Sequence, residues 1–238
     1  LFDRIDSALI VYYYKKGDIN MSKAKLTRND VIRHTKDHNS LQGSDLADLD
    51  LHELDFFAMN LKDTNLYGAN LRGARLCWAE LDRADLRVAN LVGANLNEAR
   101  MENVKLCKTN LTDARLDEAR LQDADLTRAI LTGANLSSAW LMRADLTAAD
   151  LTRAYMSGAN LEEAILIDAK LAGFGDHEGT NTEMWQTNLR RADLTRADMR
   201  GVNLSNADLT GAIVKDTNFE NVIWFQTTMP DGTKRSNN

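Results

Sequence analysis

From Leu41 to Leu171 every fifth residue is Leu, except Phe56, Met101 and Met156. A period of five matches neither the 3.6-residue turn of a helix nor the two-residue alternation of a strand. It fits a chain that takes a short extended step, turns and repeats. Two residues before the centre stands Ala at most positions from Ala69 to Ala169. Each unit therefore sends one large and one small apolar side chain inward. Four such units would close a square coil of about 20 residues, with coils stacked at about 4.8 Å, the spacing of neighbouring strands. Ala suits the crowded position, where a larger group would cost roughly 1–3 kcal/mol of overpacking. Units that bury their apolar faces only against neighbours make one continuous body.

Charge narrows the function classes. The chain has 29 basic and 35 acidic residues, interleaved, for a net charge of −6. That balance does not point to nucleic acid. No stretch has the roughly 18–20 apolar residues of a membrane span, so membrane insertion is not expected. Cys77 and Cys107 are too few for a disulfide framework, which makes a reducing cytoplasmic setting the default. The chain opens on Leu1 rather than Met, so a removed leader, and with it a periplasmic or lumenal setting, stays open. The two cysteines lie one and a half coils apart and should point away from each other, against an intramolecular bridge.

Outside the main array the pattern changes. Residues 1–38 read as a helical cap. A first amphipathic helix would run from Leu1 to Lys16, with Ile5, Leu9, Tyr12 and Tyr13 as a candidate dimer face. Thr27 and Asp30 then form a capping-box-like pair that opens a second helix ending near Asp37. Val31, Ile32 and Thr35 are expected on its inner face. Residues 39–171 form the repeat body. The first coil carries bulkier residues at the small position (Leu49, Leu54, Met59), which suggests a coil shaped to meet the cap. Residues 172–181 interrupt the repeat, which resumes at Met184, 13 residues after Leu171, three more than two repeats. The remaining coils run over 182–230, and 231–238 form a tail. Phe219, Val222, Trp224 and Phe225 are expected to plug the final coil, and Pro230 to deny its edge a donor.

Blocks such as Ala124-Asp125-Leu126-Thr127-Arg128 and Ala134-Asn135-Leu136-Ser137-Ser138 resemble the A-[DN]-L-x-x unit of the pentapeptide repeat family. The resemblance covers most of the chain. It implies an all-β solenoid, a right-handed quadrilateral parallel β-helix, here of about nine coils under an N-terminal α-helical cap. The ending Met229-Pro230-Asp231-Gly232-Thr233 is similar to the tails of cyanobacterial members, some of which are implicated in regulating cell differentiation. The quinolone-resistance members bind a type II topoisomerase, gyrase, as DNA mimics and dimerise through C-terminal elements.

Enzymatic signatures are lacking. No Ser or Thr has an evident His base, and there is neither a phosphate-binding loop nor a dinucleotide fingerprint. His34 and His38, four apart on the second helix, have no third ligand in view and read as solvated surface histidines. No cofactor and no metal are expected. Candidate recognition elements lie outside the core. One is an apolar patch of Trp140, Met142, Ile165 and Ile167, with Trp78 and Tyr67 as a smaller second cluster. Another is the interrupting loop with Phe174, Asp176, His177 and Glu178, because loops on rigid scaffolds carry function. The expected function is a non-enzymatic scaffold for an unidentified protein partner. The alternatives are a self-associating rod, dimeric through the N-terminal helices, and a gyrase-binding DNA mimic. The mimic calls for a continuous acidic stripe, which the interleaved arginines argue against.

Overall fold

The computed structural model describes residues 26–37, 40–172 and 181–237. The chain winds as a four-sided solenoid. Each side contributes one residue to a parallel bridge with the coil above and the coil below. Four ladders result. Face one runs from Asp45 to Ile213, face two from Asp50 to Asn218, face three from Asp55 to Ile223 and face four from Asn60 to Thr228. Partners are 20 residues apart, as Asp45 to Asn65, until the interruption.

Each side has the same local chemistry. The centre's carbonyl accepts from the amide three residues on, as in Ala74 N to Leu71 O at 3.0 Å, closing a tight turn. The second turn residue has positive φ, as at Arg128 (57°) and Gly133 (69°). That fits a turn with a left-handed third residue, where Gly is easiest. At Gly133 a Cβ would also come within 2.4 Å of Asp113 Oδ1. The sides are thus too short for conventional strands. The only ones among the described residues are β1 (Thr227–Thr228) and β2 (Lys234–Arg235), an antiparallel pair. The all-β expectation holds as a stack of single bridges and turns.

Leu and Ala fill the interior, nearly all of them with no exposure. Where Thr replaces Ala, its hydroxyl finds a carbonyl. Thr109 Oγ1 donates to Leu86 O at 2.7 Å and Thr187 Oγ1 to Met156 O at 3.0 Å. A buried hydroxyl left unpaired would cost a few kcal/mol.

The interruption leaves the ladders unbroken. Tyr155 bridges Glu183, Asn160 bridges Asn188, and the 20-residue step then returns. Lys170 and Glu183 occupy consecutive faces, so Met184 is the very next centre after Leu171. The 13-residue offset is one repeat with an insertion at one corner, rather than two repeats and three residues. The two ends of that insertion, Ala172 and Asn181, leave and rejoin between faces two and three.

The helix α1 (Arg28–Lys36) has the expected capping box: Asp30 N donates to Thr27 Oγ1 and Thr27 N to Asp30 Oδ2. Its buried residues are Val31 and His34. The surface assignment of His34 is therefore corrected: at i and i+3 it shares the inner stripe with Val31, while Ile32 and Thr35 are half-buried. Arg28 ties α1 to the first coil, donating to the Asp50 and His52 carbonyls. That coil keeps the common register, with Leu49 and Leu54 half-buried against the core.

At the other end Val222 and Trp224 are buried, and the Phe219 and Trp224 rings meet at 5.3 Å. Phe225 does not join this plug. It is 57% exposed, because it falls at a corner where side chains point outward. Arg235 covers the Trp224 ring at 4.4 Å.

Candidate functional site

The repeat prescribes an outer residue as well as the inner ones. Asp or Asn at the bridge position accepts a hydrogen bond from the amide two residues on. Asp125 Oδ1 takes Thr127 N at 3.0 Å, Asn135 takes Ser137 N at 3.0 Å and Asp193 takes Thr195 N at 2.9 Å. This local turn bond explains the [DN] of the unit. Positions without Asp or Asn forgo it, at roughly 0.5–1.5 kcal/mol each. They are where the outside serves something other than the turn.

Those departures are unevenly placed. Face one has Lys105, Ile165 and Ile213, and face two Ile130 and Lys170, all isolated. Face three has Arg75, Arg115, Tyr155, Glu183 and Ile223. Face four has four in succession: Glu80, Arg100, Arg120 and Trp140. Alongside these, at the corner between faces three and four, stand Trp78, Glu98 and Glu118, which with them line a groove of about 360 Å³.

The same corner gathers the exposed aromatics. Phe57, Trp78, Trp185 and Phe225 sit on it, Tyr155 on the adjoining third face and Trp140 on the fourth. Tyr67, the other exposed aromatic among the described residues, lies at the diagonally opposite corner under the Arg87 guanidinium, 5.7 Å from the ring centroid. Trp78 and Tyr67 therefore do not form the expected second cluster. They differ by about half a coil, which puts them on opposite corners.

The first patch is distributed around the coil. Trp140 is 48% exposed on face four, Met142 lies at the next corner and Ile165 on face one. Ile167 is one corner further, between faces one and two. Trp140, Met142 and Ile165 thus span one edge, with Ile167 beside it. The candidates Phe174, Asp176, His177 and Glu178, and the helix residues Ile5, Leu9, Tyr12 and Tyr13, lie outside the described residues.

Several charges are paired off at the corners on either side of face one. Arg83 binds Asp63 with two contacts of 2.7 and 2.8 Å, Arg143 binds Asp123 with two of 2.7 Å, and Arg196 binds Asp168 at 2.6 and 2.7 Å. These hydrogen bonds hold the three carboxyls below the usual carboxylate range. No ladder is continuously acidic among the described residues. Cys77 and Cys107 sit at diagonally opposite corners and are free thiols. Among the described residues no group of three His, Cys, Asp or Glu is placed to hold a metal ion, and no helix is long and apolar enough to cross a membrane.

The pentapeptide repeat model matches residues 40–73, 60–97, 69–106, 109–147, 144–173 and 180–223. The chain belongs to the pentapeptide repeat family. Among solved structures it is similar to HetL, a pentapeptide repeat protein involved in heterocyst differentiation regulation from the cyanobacterium Nostoc sp. strain PCC 7120. The likeness is 26% identity over 88% of this chain and 100% of that one, with a TM-score of 0.75. It also resembles QnrB1, a plasmid-mediated fluoroquinolone resistance protein, at 14% identity over 73% of this chain and 86% of that one, TM-score 0.50. That second likeness concerns the fold alone. No curated protein matches the chain.

Proposed function

We propose that this pentapeptide repeat protein is a non-enzymatic scaffold that binds a protein partner in a regulatory complex. The contact is the edge formed by Trp140, Met142 and Ile165, flanked by Ile167. The observation that carries this reading is that Trp140 and Ile165 stand at bridge positions where the unit otherwise uses Asp or Asn for its own turn. A large apolar group there gives up a local hydrogen bond and exposes itself to water, which marks an interaction surface. The HetL likeness, over the whole of that chain, supports a regulatory setting. A DNA-mimic role is the weaker reading, since the corner carboxylates Asp63, Asp123 and Asp168 are matched by arginines.

Affinity capture from the source cell tests the proposal. Met142→Asp combined with Ile165→Asp should leave the melting temperature unchanged and abolish recovery of a specific partner. Capture that survives substitution of all four residues would sink it.

A further inference from the structure

The strip along the corner between faces three and four has a second property, and it shares only Trp140 with the edge proposed above. It consists of two parallel rows. The corner row reads Trp78, Glu98, Glu118, Ser138, Gly158 in successive coils. The face row reads Glu80, Arg100, Arg120, Trp140, Asn160. Within the molecule these rows barely satisfy each other. Among the described residues Glu98, Glu118 and Arg120 make no ion pair, while Arg100 reaches Glu80 and Asp82 only at 3.9 and 3.5 Å. Elsewhere on the rod Arg75, Arg83, Arg87, Arg143, Arg196 and Arg200 bind carboxylates at 2.6–2.9 Å, while Arg115 and Arg190 reach theirs at 3.8 and 3.6 Å.

A two-fold axis parallel to the rod exchanges the two rows at constant height. Glu98 of one copy then faces Arg100 of the other, and Glu118 faces Arg120, each twice by symmetry. Trp140, the large residue of the face row, faces Ser138 beside Gly158, the small residues of the corner row. We propose that this strip is a self-complementary seam at which a second copy of the chain docks, the two rods lying parallel. A two-fold interface must match its own patch in this way. The other orientation, with the rods antiparallel, sets each row against itself, so no register brings Glu98 or Glu118 directly opposite Arg100 or Arg120.

Size is adequate. Nine stacked coils at about 4.8 Å make a strip on the order of 40 Å long. A seam roughly 15 Å wide would then bury the ~600 Å² per copy that the smaller specific interfaces require. The exposed aromatics Phe57, Trp78, Trp140, Trp185 and Phe225 lie along that strip from the first coil to the last. Such rings are the usual anchors of interfaces. Four successive coils on face four forgo their turn-closing Asp or Asn at this strip alone.

Sedimentation equilibrium of the full chain, with a charge-exchange set, tests the seam. Wild type should be a dimer. Arg100→Glu with Arg120→Glu makes both rows acidic, and Glu98→Arg with Glu118→Arg makes both basic. Each double variant should self-associate at least about 100-fold more weakly, because like charges then face each other. An equimolar mixture of the two should restore a dimer containing one of each. Circular dichroism checks that all variants are folded. A monomeric wild type overturns the proposal. So does a dimer that survives both exchanges, as one held by residues 1–25 would, and so does a mixture that stays monomeric.

Discussion

The corner between faces one and two and the corner between faces three and four belong to the same coils and enclose the same core. Around the first, bridge positions are mostly Asp and Asn, each tying its own turn, and two of the three corner arginines are held by carboxylates at 2.6 Å, Arg87 by Asp85 and Arg196 by Asp168. Around the second, successive coils give up the turn bond, place Glu beside the loosely paired Arg100 and the unpaired Arg120, and expose tryptophan. The difference cannot come from folding demands, since both corners meet identical ones. In a solenoid the outer surface is its own control: a position that abandons the repeat on one face is measured against the same position on the other three.

That comparison sits on a core indifferent to it, and the largest expected effect is there. Leu121→Ala leaves a cavity between stacked coils and should destabilise by about 3–5 kcal/mol in urea unfolding, whichever face it backs. If the cost were near zero, the interior would not be close-packed. A smaller effect separates the two corners directly. Asp125→Ala removes an acceptor used by both Thr127 N (3.0 Å) and Thr127 Oγ1 (2.7 Å). It should cost about 1 kcal/mol. Arg120→Asn should do the reverse, stabilising by up to about 1 kcal/mol in the same assay by restoring the turn bond that face four lacks. If Arg120→Asn destabilised the isolated fold, the face-four departures would be structural, and the contrast between the corners would lose its meaning.

The smallest effect concerns pH. Asp63, Asp123 and Asp168 have folded-state values lowered by hydrogen bonds from Arg83, Arg143 and Arg196. A carboxyl depressed in the folded state adds stability above its unfolded value near 4. It loses that contribution as pH falls through the folded value. The melting temperature should therefore fall as pH drops from about 5 toward 2, and Asp123→Asn should flatten that fall slightly. These pairs are exposed, so the difference is small and shrinks further in high salt.

Much of the fold was legible because the inward code repeats. The Leu centres, the Ala two places earlier, the square coil and the capping box at Thr27 follow from residue size and spacing. What misled was position around the coil. Phe225 reads as part of a plug when its neighbours Val222 and Trp224 are considered, but only the latter two have inward register. His34 reads as surface from its pairing with His38, while α1 turns it under the first coil beside Val31. Trp78 and Tyr67 look adjacent in sequence and stand at opposite corners. The aromatic edge was present in the sequence all along, visible once the chain is wound on a twenty-residue period with the insertion removed. Without the ladder step from Tyr155 to Glu183, the alignment of Trp185 and Phe225 with Phe57, at the corner that Trp78 shares, is hidden.

That ladder step has a further consequence. The chain lengthens one coil between Ala172 and Asn181 while the bridges on both sides keep their partners and Met184 keeps its place in the core. Closing a longer loop costs little free energy, roughly 0.6 kcal/mol for each doubling of its length. Every turn of the solenoid is built alike, so in principle every corner is a port of the same kind. A rod of this type can acquire a new peptide, or a whole small domain, at a chosen height and on a chosen side without renegotiating its interior. Its evolutionary freedom would then be counted in corners rather than in residues.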